Sequence, residues 1–180
     1  MARSYTGKGD SGETGLWGGN RVLKNDPRIA AVGEIDEANA AIGVAASFTE
    51  ENKIQEICAY VQNIMFTVGA EISALSANKK PPHQIKDEHV KKIEQFIEEL
   101  DNELPQLNAF ILPSGSSAVT NLHLARSMVR RAERAVITAK INDNPLLIKF
   151  LNRTSSLLFS MARWLNQKEG SIEKNPSYEI

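Results

Sequence analysis

The sequence has little cysteine, few aromatic residues and no long hydrophobic run. Cys58 is the single cysteine, which excludes an internal disulfide framework and is typical of a reducing compartment. Aromatic residues make up 6% of the 180 residues. The chain contains neither a run of about 18 apolar residues nor the apolar segment of a secretory signal. We therefore expect a soluble cytoplasmic protein with one domain and a sizeable core.

Excess charge of one sign is also missing. The formal net charge is -1, because 21 basic residues face 22 acidic ones. Proteins dedicated to nucleic-acid binding usually have a basic excess, so the composition does not favour that class. Any anion-binding function must depend on a local cluster of basic side chains.

Histidines are few, and their surroundings exclude several chemistries. Di-iron sites in helical bundles need Glu-x-x-His on two helices, but no glutamate stands three residues before His83, His89 or His123. Zinc-type Cys/His spacing and the nucleophile elbow of a Ser/His/Asp hydrolase are absent as well. Polyphosphate binding without a protein-bound metal is the chemistry that these exclusions leave.

Hydrophobic periodicity predicts five helices and no convincing strand. Asp26-Pro27 and the segment 142–145 each place a capping side chain before a proline at the first helical position. We predict helices at about 27–48, from the cap Thr49 to Leu75, at 87–104, through the stretch 122–137 and at 145–167. The fold expected is an all-α, antiparallel five-helix bundle over about 26–167, with a loosely held tail at 169–180. Met65 and Cys58 are expected to serve packing.

Six of the eleven glycines fall within residues 5–19. The segment 7–12 matches the spacing G-x-G-x-x-G, but no strand can precede it and no βαβ pattern follows, so it is not a dinucleotide fingerprint. A loop of this composition can approach a ligand closely, with Thr6, Lys8, Ser11 and Thr14 as donors. The alternative is an unattached N-terminal tail.

The stretch 122–137 carries a row of arginines opposite its apolar side. Arg126, Arg130 and Arg134 are spaced i, i+4, i+8, and His123 and Glu133 fall on the same polar side. Like charges at this spacing repel each other by a few tenths of a kcal/mol per pair unless an anion faces them. The row is therefore either a solvated basic face or a site for a polyanion such as a phosphate chain.

Two further residues are candidates for a site. Asp36 shares a side of the first helix with Ile29, Val32, Ala40 and Gly43. A buried carboxylate needs a cation, which the arginine row could supply, or Asp36 lies at a wet seam between helices. Phe110 lies in an apolar connector, where its ring either packs over the core or is presented to a ligand.

Several motifs in order resemble the PduO-type ATP:cob(I)alamin adenosyltransferases. The resemblance covers nearly the whole chain and thins at residues 49–107 and after 165. Its motifs are T-G-K-G-D-S-G-E-T (Thr6–Thr14), R-V-L-K (Arg21–Lys24), V-G-E-I-D-E-A-N (Val32–Asn39), F-I-L-P-S-G (Phe110–Gly115), L-H-L-A-R-S-M-V-R-R-A-E-R (Leu122–Arg134) and L-N-R (Leu151–Arg153).

This resemblance implies a homotrimer of five-helix bundles with active sites between subunits. It also implies transfer of the 5′-deoxyadenosyl group from ATP, with Mg²⁺ on its phosphates, to the cobalt of cob(I)alamin. The products are adenosylcobalamin and triphosphate. Co(I) is the nucleophile, so no protein base is needed; a reductase and an acceptor enzyme for the coenzyme are implied partners. The alternative is a non-catalytic ATP-binding bundle that acts as a sensor or scaffold.

The resemblance also assigns residues. Asp36 and Arg126 match an ion pair at the subunit contact, and Phe110 matches an aromatic residue that excludes the lower axial ligand of cobalt. The residues that match the nucleotide site are Thr6, Gly7 or Lys8, Gly9, Thr14, Gly15, Lys24, Arg130, Arg131, Glu133, Arg134 and Asn152.

Three positions depart from the family pattern. Gly7 stands where the family has lysine, and Lys8 follows it. Ser114 replaces the first glycine of Pro-Gly-Gly, and Ser156 stands where aspartate is common.

Overall fold

Five helices and one short hairpin make up the computed structural model, which describes residues 5–74, 81–141 and 144–178. The predicted all-α five-helix bundle is confirmed. Leu75 and the residues 142–143 of the predicted fifth-helix start lie outside the described residues. The helices are α1 (Pro27–Ser47), α2 (Asn52–Ser73), α3 (Asp87–Asp101), α4 (Ser117–Thr138) and α5 (Pro145–Lys168).

Side-chain caps start three of the helices. Asp26 accepts a hydrogen bond from the amide of Arg28 at 2.9 Å, and Asn144 accepts one from the amide of Leu146 at 3.0 Å. Ser116 caps α4 through the amide of Val119 at 3.3 Å. Each bond satisfies an amide that has no partner inside its helix.

Two predicted helix ends are wrong. Thr49 is not the cap of α2, because Glu51 occupies that position, and the Thr49 hydroxyl accepts from the amide of Glu51 in the preceding turn. Helix α3 ends at Asp101, three residues before the predicted Leu104. Leu104 still packs against the core from the turn that follows α3. This packing explains why Leu104 continues the apolar periodicity of the helix.

The helices pack as neighbours in the order α2, α1, α4, α5, α3. Their shared core is mainly aliphatic, with Ile42, Ile54 and Leu122 fully buried alongside the aromatic Phe150. Met65 and Cys58 are buried in this core, as predicted, and burial raises the pKa of the Cys58 thiol to about 12. A thiol with so high a pKa is a packing group and not a nucleophile.

The N-terminal segment contains a hairpin that the sequence did not predict. Strand β1 (Glu13–Gly15) pairs antiparallel with β2 (Arg21–Leu23), with Thr14 opposite Val22. Gly18 and Gly19 form the turn at φ 91° and 90°, values that favour glycine. The expectation of a helical protein without strands is therefore wrong for residues 13–23.

The C-terminal tail is attached, although the sequence predicts a loose one. The amide of Ser171 donates to the carbonyl of Asn166 at 2.9 Å, and the carbonyl of Lys174 accepts from the amide of Leu112 at 2.7 Å. Residues 179–180 of the predicted tail lie outside the described residues. The tail thus lies against the segment between α3 and α4.

Replacement of Gly115 by alanine should destabilise the fold. Gly115 has φ +141°, and an added Cβ would lie 2.3 Å from Asn166 Oδ1 and 2.9 Å from Val119 Cγ1. We expect the free energy of unfolding in urea to fall by roughly 1–3 kcal/mol. Gly69→Ala in α2 is the control, because its Cβ would meet no heavy atom within 4 Å. Equal stability of the two variants would contradict the packing described.

Candidate functional site

The arginine row of α4 lies where α4 faces both solvent and α5. Arg130 and Arg134 are exposed, and within the described ranges neither forms an ion pair. Arg126 is half-buried, with its guanidinium carbon 5.5 Å from the centroid of the Phe159 ring on α5. Burial and the nearby charge of Arg130 lower the pKa of Arg126. The row therefore retains two unneutralised guanidinium groups beside each other.

Arg131 differs from its neighbours because it holds α4 to α1. Its Nε donates to Glu34 and its Nη2 to Glu37, both on α1. These carboxylates, Glu34 first, raise the pKa of Arg131. The resemblance places Arg131 in the nucleotide site, whereas in this chain its guanidinium is engaged by two carboxylates.

Glu133 and Asn152 were both predicted as site residues, and the fold brings them together. Asn152 on α5 donates from Nδ2 to Glu133 Oε1 at 3.2 Å, and its own Oδ1 accepts from Arg153 Nη1 at 3.0 Å. Arg153 in turn pairs with Glu94 of α3 at 2.9 Å. A polar chain thus crosses three helices and ends beside the arginine row.

The predicted phosphate-binding residues of the N-terminus lie in the hairpin and in the segments on either side of it. Lys24 lies against Gly9 so closely that an added Cβ would be 3.3 Å from its Nζ. The Lys24 amide also donates to the carbonyl of Gly12 at 2.8 Å. Gly9 therefore gives the Lys24 ammonium group access to the loop backbone.

The remaining loop residues are exposed or border the hairpin. Gly7 has φ +67°, the Lys8 carbonyl accepts from Arg21 Nη2 at 2.7 Å, and Thr6 accepts from the amide of Lys8. Thr14 and Gly15 lie in β1. Within the described residues, none of the predicted loop ligands forms a hydrogen bond or ion pair with the arginine row.

Asp36 does not meet the arginine row within this chain. It is exposed, and in the described part of the structure no ion pair joins it to Arg126. Burial of this carboxylate is therefore not seen within one chain, where its exposure agrees with the alternative of a wet seam, and its pairing with Arg126 at a subunit contact stays a prediction. Asp36 instead borders an apolar groove between α1 and α2 that includes Val32 and Phe66, whose side chain is 70% exposed.

Phe110 is exposed and does not pack over the core. Its side chain is 82% exposed and lines a cavity of about 600 Å³ together with Leu107, Pro176 and Tyr178. The packing alternative for this ring is wrong, and its presentation to solvent agrees with the alternative of a ligand contact. Residues 105–116, between α3 and α4, are called the Phe110 connector below.

His123 was expected on the polar side of α4, but it is buried. It is 7% exposed, its ring meets the ring of Phe159 edge-on at 6.1 Å, and its Nε2 has no partner within the described residues. Burial lowers the pKa of His123, with a smaller contribution from Arg126.

The described structure is thus a helical bundle with a basic edge on α4 and a short hairpin that contains glycines. Residues 4–165 match the cobalamin adenosyltransferase family. A corrinoid adenosyltransferase from Mycobacterium tuberculosis is 38% identical over 174 residues, which cover 92% of this chain and 90% of the relative. A cobalamin adenosyltransferase from Cupriavidus metallidurans is 35% identical over 181 residues, 96% of this chain and 93% of that protein. This chain belongs to the cobalamin adenosyltransferase family.

A solved structure has the same fold. It is a PduO-type ATP:corrinoid adenosyltransferase from Lactobacillus reuteri, a phenylalanine-to-alanine variant complexed with cobalamin and ATP. The TM-score is 0.91 at 28% identity, over 97% of this chain and 99% of that one. In the part of this chain that the structure describes, no helix is long and apolar enough to cross a membrane. The same residues contain no group of three His, Cys, Asp or Glu side chains that could hold a metal ion.

His123 should make stability depend on pH. The pKa of His123 lies below its ordinary value of 6.5 in the folded state. At a pH between the folded and unfolded pKa values, the unfolded chain therefore binds more protons, and stability falls as the pH drops below about 6.5. Between pH 7.5 and 5.5, the unfolding free energy of His123→Gln, measured in urea, should decrease less than that of the wild type. The two proteins should differ in this decrease by at most about 1.4 kcal/mol per pH unit. His83→Gln, at an exposed position, should follow the wild type. Parallel curves for all three proteins would contradict the assignment.

Proposed function

We propose that this protein transfers the 5′-deoxyadenosyl group of ATP to the cobalt of cob(I)alamin. A cobalt–carbon bond forms to the ribose C5′, and the bond from C5′ to the phosphate oxygen breaks. Triphosphate leaves with the electron pair of that bond, and adenosylcobalamin is the product. The observation that carries the proposal is the pair of exposed guanidinium groups, Arg130 and Arg134, which form no ion pair with any described residue and lie on the edge of a bundle that belongs to this family.

The arginine row is proposed to bind the triphosphate of ATP. Arg130 and Arg134 are exposed, and the repulsion between neighbouring guanidinium groups decreases when phosphate oxygens lie between them. Phosphate contacts there would also stabilise the charge that develops on the leaving triphosphate. Glu133 and Asn152, joined by their hydrogen bond, are proposed to bind the rest of the nucleotide.

Arg131 is proposed to act by fixing the position of this edge. Its contacts with Glu34 and Glu37 hold α4 to α1 directly beside Arg130. The resemblance implies that Arg131 also contacts ATP. In that case one guanidinium group would have to bind both the phosphate and these two carboxylates.

The hairpin is proposed to cover the phosphates from the opposite side. Lys24 supplies the charge, Thr6 and Thr14 supply hydroxyl groups, and the backbone of Gly9 and Gly15 allows close approach. Of Gly7 and Lys8, we propose Lys8 as the residue that contacts a phosphate, because it alone has a charged side chain. Its carbonyl accepts a hydrogen bond from Arg21. Mg²⁺ is proposed to bind the phosphate oxygens of ATP.

Asp36 and Arg126 are proposed to pair between subunits of a homotrimer. Asp36 is exposed beside an apolar groove, and Arg126 is held against Phe159 without a carboxylate partner within the described residues. A neighbouring copy would cover the groove and neutralise both charges. The subunit contact would then lie beside the corrinoid.

Phe110 is proposed to occupy the lower axial side of the corrinoid cobalt. Its exposed ring can displace the axial ligand without disturbing the core, since it buries little surface in the free protein. A four-coordinate cobalt is easier to reduce. This reduction requires a reductase as a partner, and the product requires an acceptor enzyme. We propose that this protein and both partners are cytoplasmic, since the thiol of Cys58 stays reduced there.

Direct assay separates this proposal from the non-catalytic alternative. We expect incubation with ATP and chemically reduced cobalamin to change the corrinoid absorption spectrum to that of adenosylcobalamin, with release of triphosphate. A protein that gains thermal stability with ATP yet leaves the corrinoid spectrum unchanged would be a sensor or scaffold. At a hundredfold excess of ATP over its Kd, the stabilisation expected is about 2.7 kcal/mol. Absence of both effects would leave a purely structural bundle.

Arg130→Ala should weaken ATP binding. Loss of a charge-assisted contact costs roughly 1.5–3 kcal/mol, so calorimetry should show an ATP Kd about 10- to 150-fold higher. Arg130→Lys should recover part of the loss, because lysine keeps the charge without the fork. Lys149→Ala, a basic residue of α5 that lies near Glu94, is the control. Unchanged affinity in Arg130→Ala would remove this residue from the site.

A further inference from the structure

The first half of the Phe110 connector has little packing of its own. Residues 105–110 are all exposed, and the ring of Phe110 projects into solvent. A segment of this kind has few contacts that restrict its conformation. If Phe110 acts on the corrinoid as proposed above, something outside the connector must hold it in place.

Besides the bond from Ser116 Oγ to Glu169 Oε1 at the end of α5, three hydrogen bonds tie the connector to α5 and to the C-terminal segment (residues 171–176). Arg163 Nη2 donates to the Pro105 carbonyl at 3.0 Å, and Asn166 Nδ2 donates to the Ser114 carbonyl at 3.1 Å. The third bond joins the Leu112 amide to the Lys174 carbonyl at 2.7 Å. That bond lies two residues from Phe110, so the C-terminal segment restrains the backbone that carries the ring.

A buried ion pair holds the C-terminal segment in turn. Arg163 donates to Glu173 from Nε at 2.8 Å and from Nη2 at 3.2 Å. The Arg163 side chain is 8% exposed and that of Glu173 is 22% exposed, so water screens the pair weakly. The guanidinium of Arg163 therefore contacts both Pro105, at the start of the connector, and the C-terminal segment, which bonds to Leu112 in the middle of the connector.

We infer that Arg163 and Glu173 are positioning residues for Phe110. The inference rests on the proposed function, because it assigns the pair a role through the contact of Phe110 with the corrinoid. A buried guanidinium that has lost its carboxylate is poorly solvated, so loss of Glu173 would release the C-terminal segment together with the Leu112 bond. The connector would then carry Phe110 in many positions instead of one.

The test compares two corrinoids and three variants. The corrinoids are cobalamin and a corrinoid without the lower axial ligand, and the variants are Glu173→Ala, Phe110→Ala and the control Ile172→Ala, whose side chain is exposed. We expect Glu173→Ala to lower kcat/KM for cobalamin roughly two- to thirtyfold relative to the ligand-free corrinoid. The ATP Kd should stay unchanged, and deuterium exchange of peptides covering residues 107–114 should accelerate. Ile172→Ala should behave as the wild type.

The outcomes distinguish this inference from the proposed function. Equal loss of activity with both corrinoids would mean that the pair only stabilises the fold, and unchanged deuterium exchange would mean that it does not hold the connector. Either result would overturn the inference. A normal Glu173→Ala beside an impaired Phe110→Ala would overturn it while leaving the role of Phe110 intact. A normal Phe110→Ala would refute the role of Phe110 itself, and the inference with it. Glu173→Gln, which keeps the side-chain shape, serves if Glu173→Ala does not fold.

Discussion

Repulsion between guanidinium groups is the constraint on which the site depends. A row of arginines along α4 is unfavourable unless each charge has a partner. Arg131 has two carboxylates on α1, and Arg126 lies against an aromatic ring, so these two side chains are fixed by protein contacts. Arg130 and Arg134 lack such contacts within the described residues. The contacts of Arg131 and Arg126 thus fix the position of α4, whereas the guanidinium groups of Arg130 and Arg134 stay exposed beside each other.

Sequence patterns predicted the helices because the signals were local. Asp26-Pro27 sets the start of α1 through a side chain two residues from the amide it caps. Prediction failed where the deciding contacts were distant in sequence. Helix α4 packs against both α1 and α5, so it buries two sides, and a helical wheel with one apolar side places His123 in solvent. The partners of Arg131 likewise depend on how α1 and α4 are aligned.

The candidate site follows the same division. The arginine row and the glycine-rich loop could be predicted, since each is one contiguous segment. The exposure of Phe110 could not, because an apolar ring in a connector fits both a core and a binding site. The C-terminal tail is attached through the ion pair of Arg163 and Glu173, which are ten residues apart. No local sequence pattern predicts that these two side chains meet.

The short hairpin affects how tightly a nucleotide can be held. Strands β1 and β2 pair over only three residues each, and a two-stranded ribbon of this length has little stability of its own. Part of the energy of any phosphate contact made by Lys24 is therefore used to order the ribbon. In the proposed role of the hairpin as a cover for the phosphates, this cost would lower affinity, and a cover that opens at small cost would let triphosphate leave.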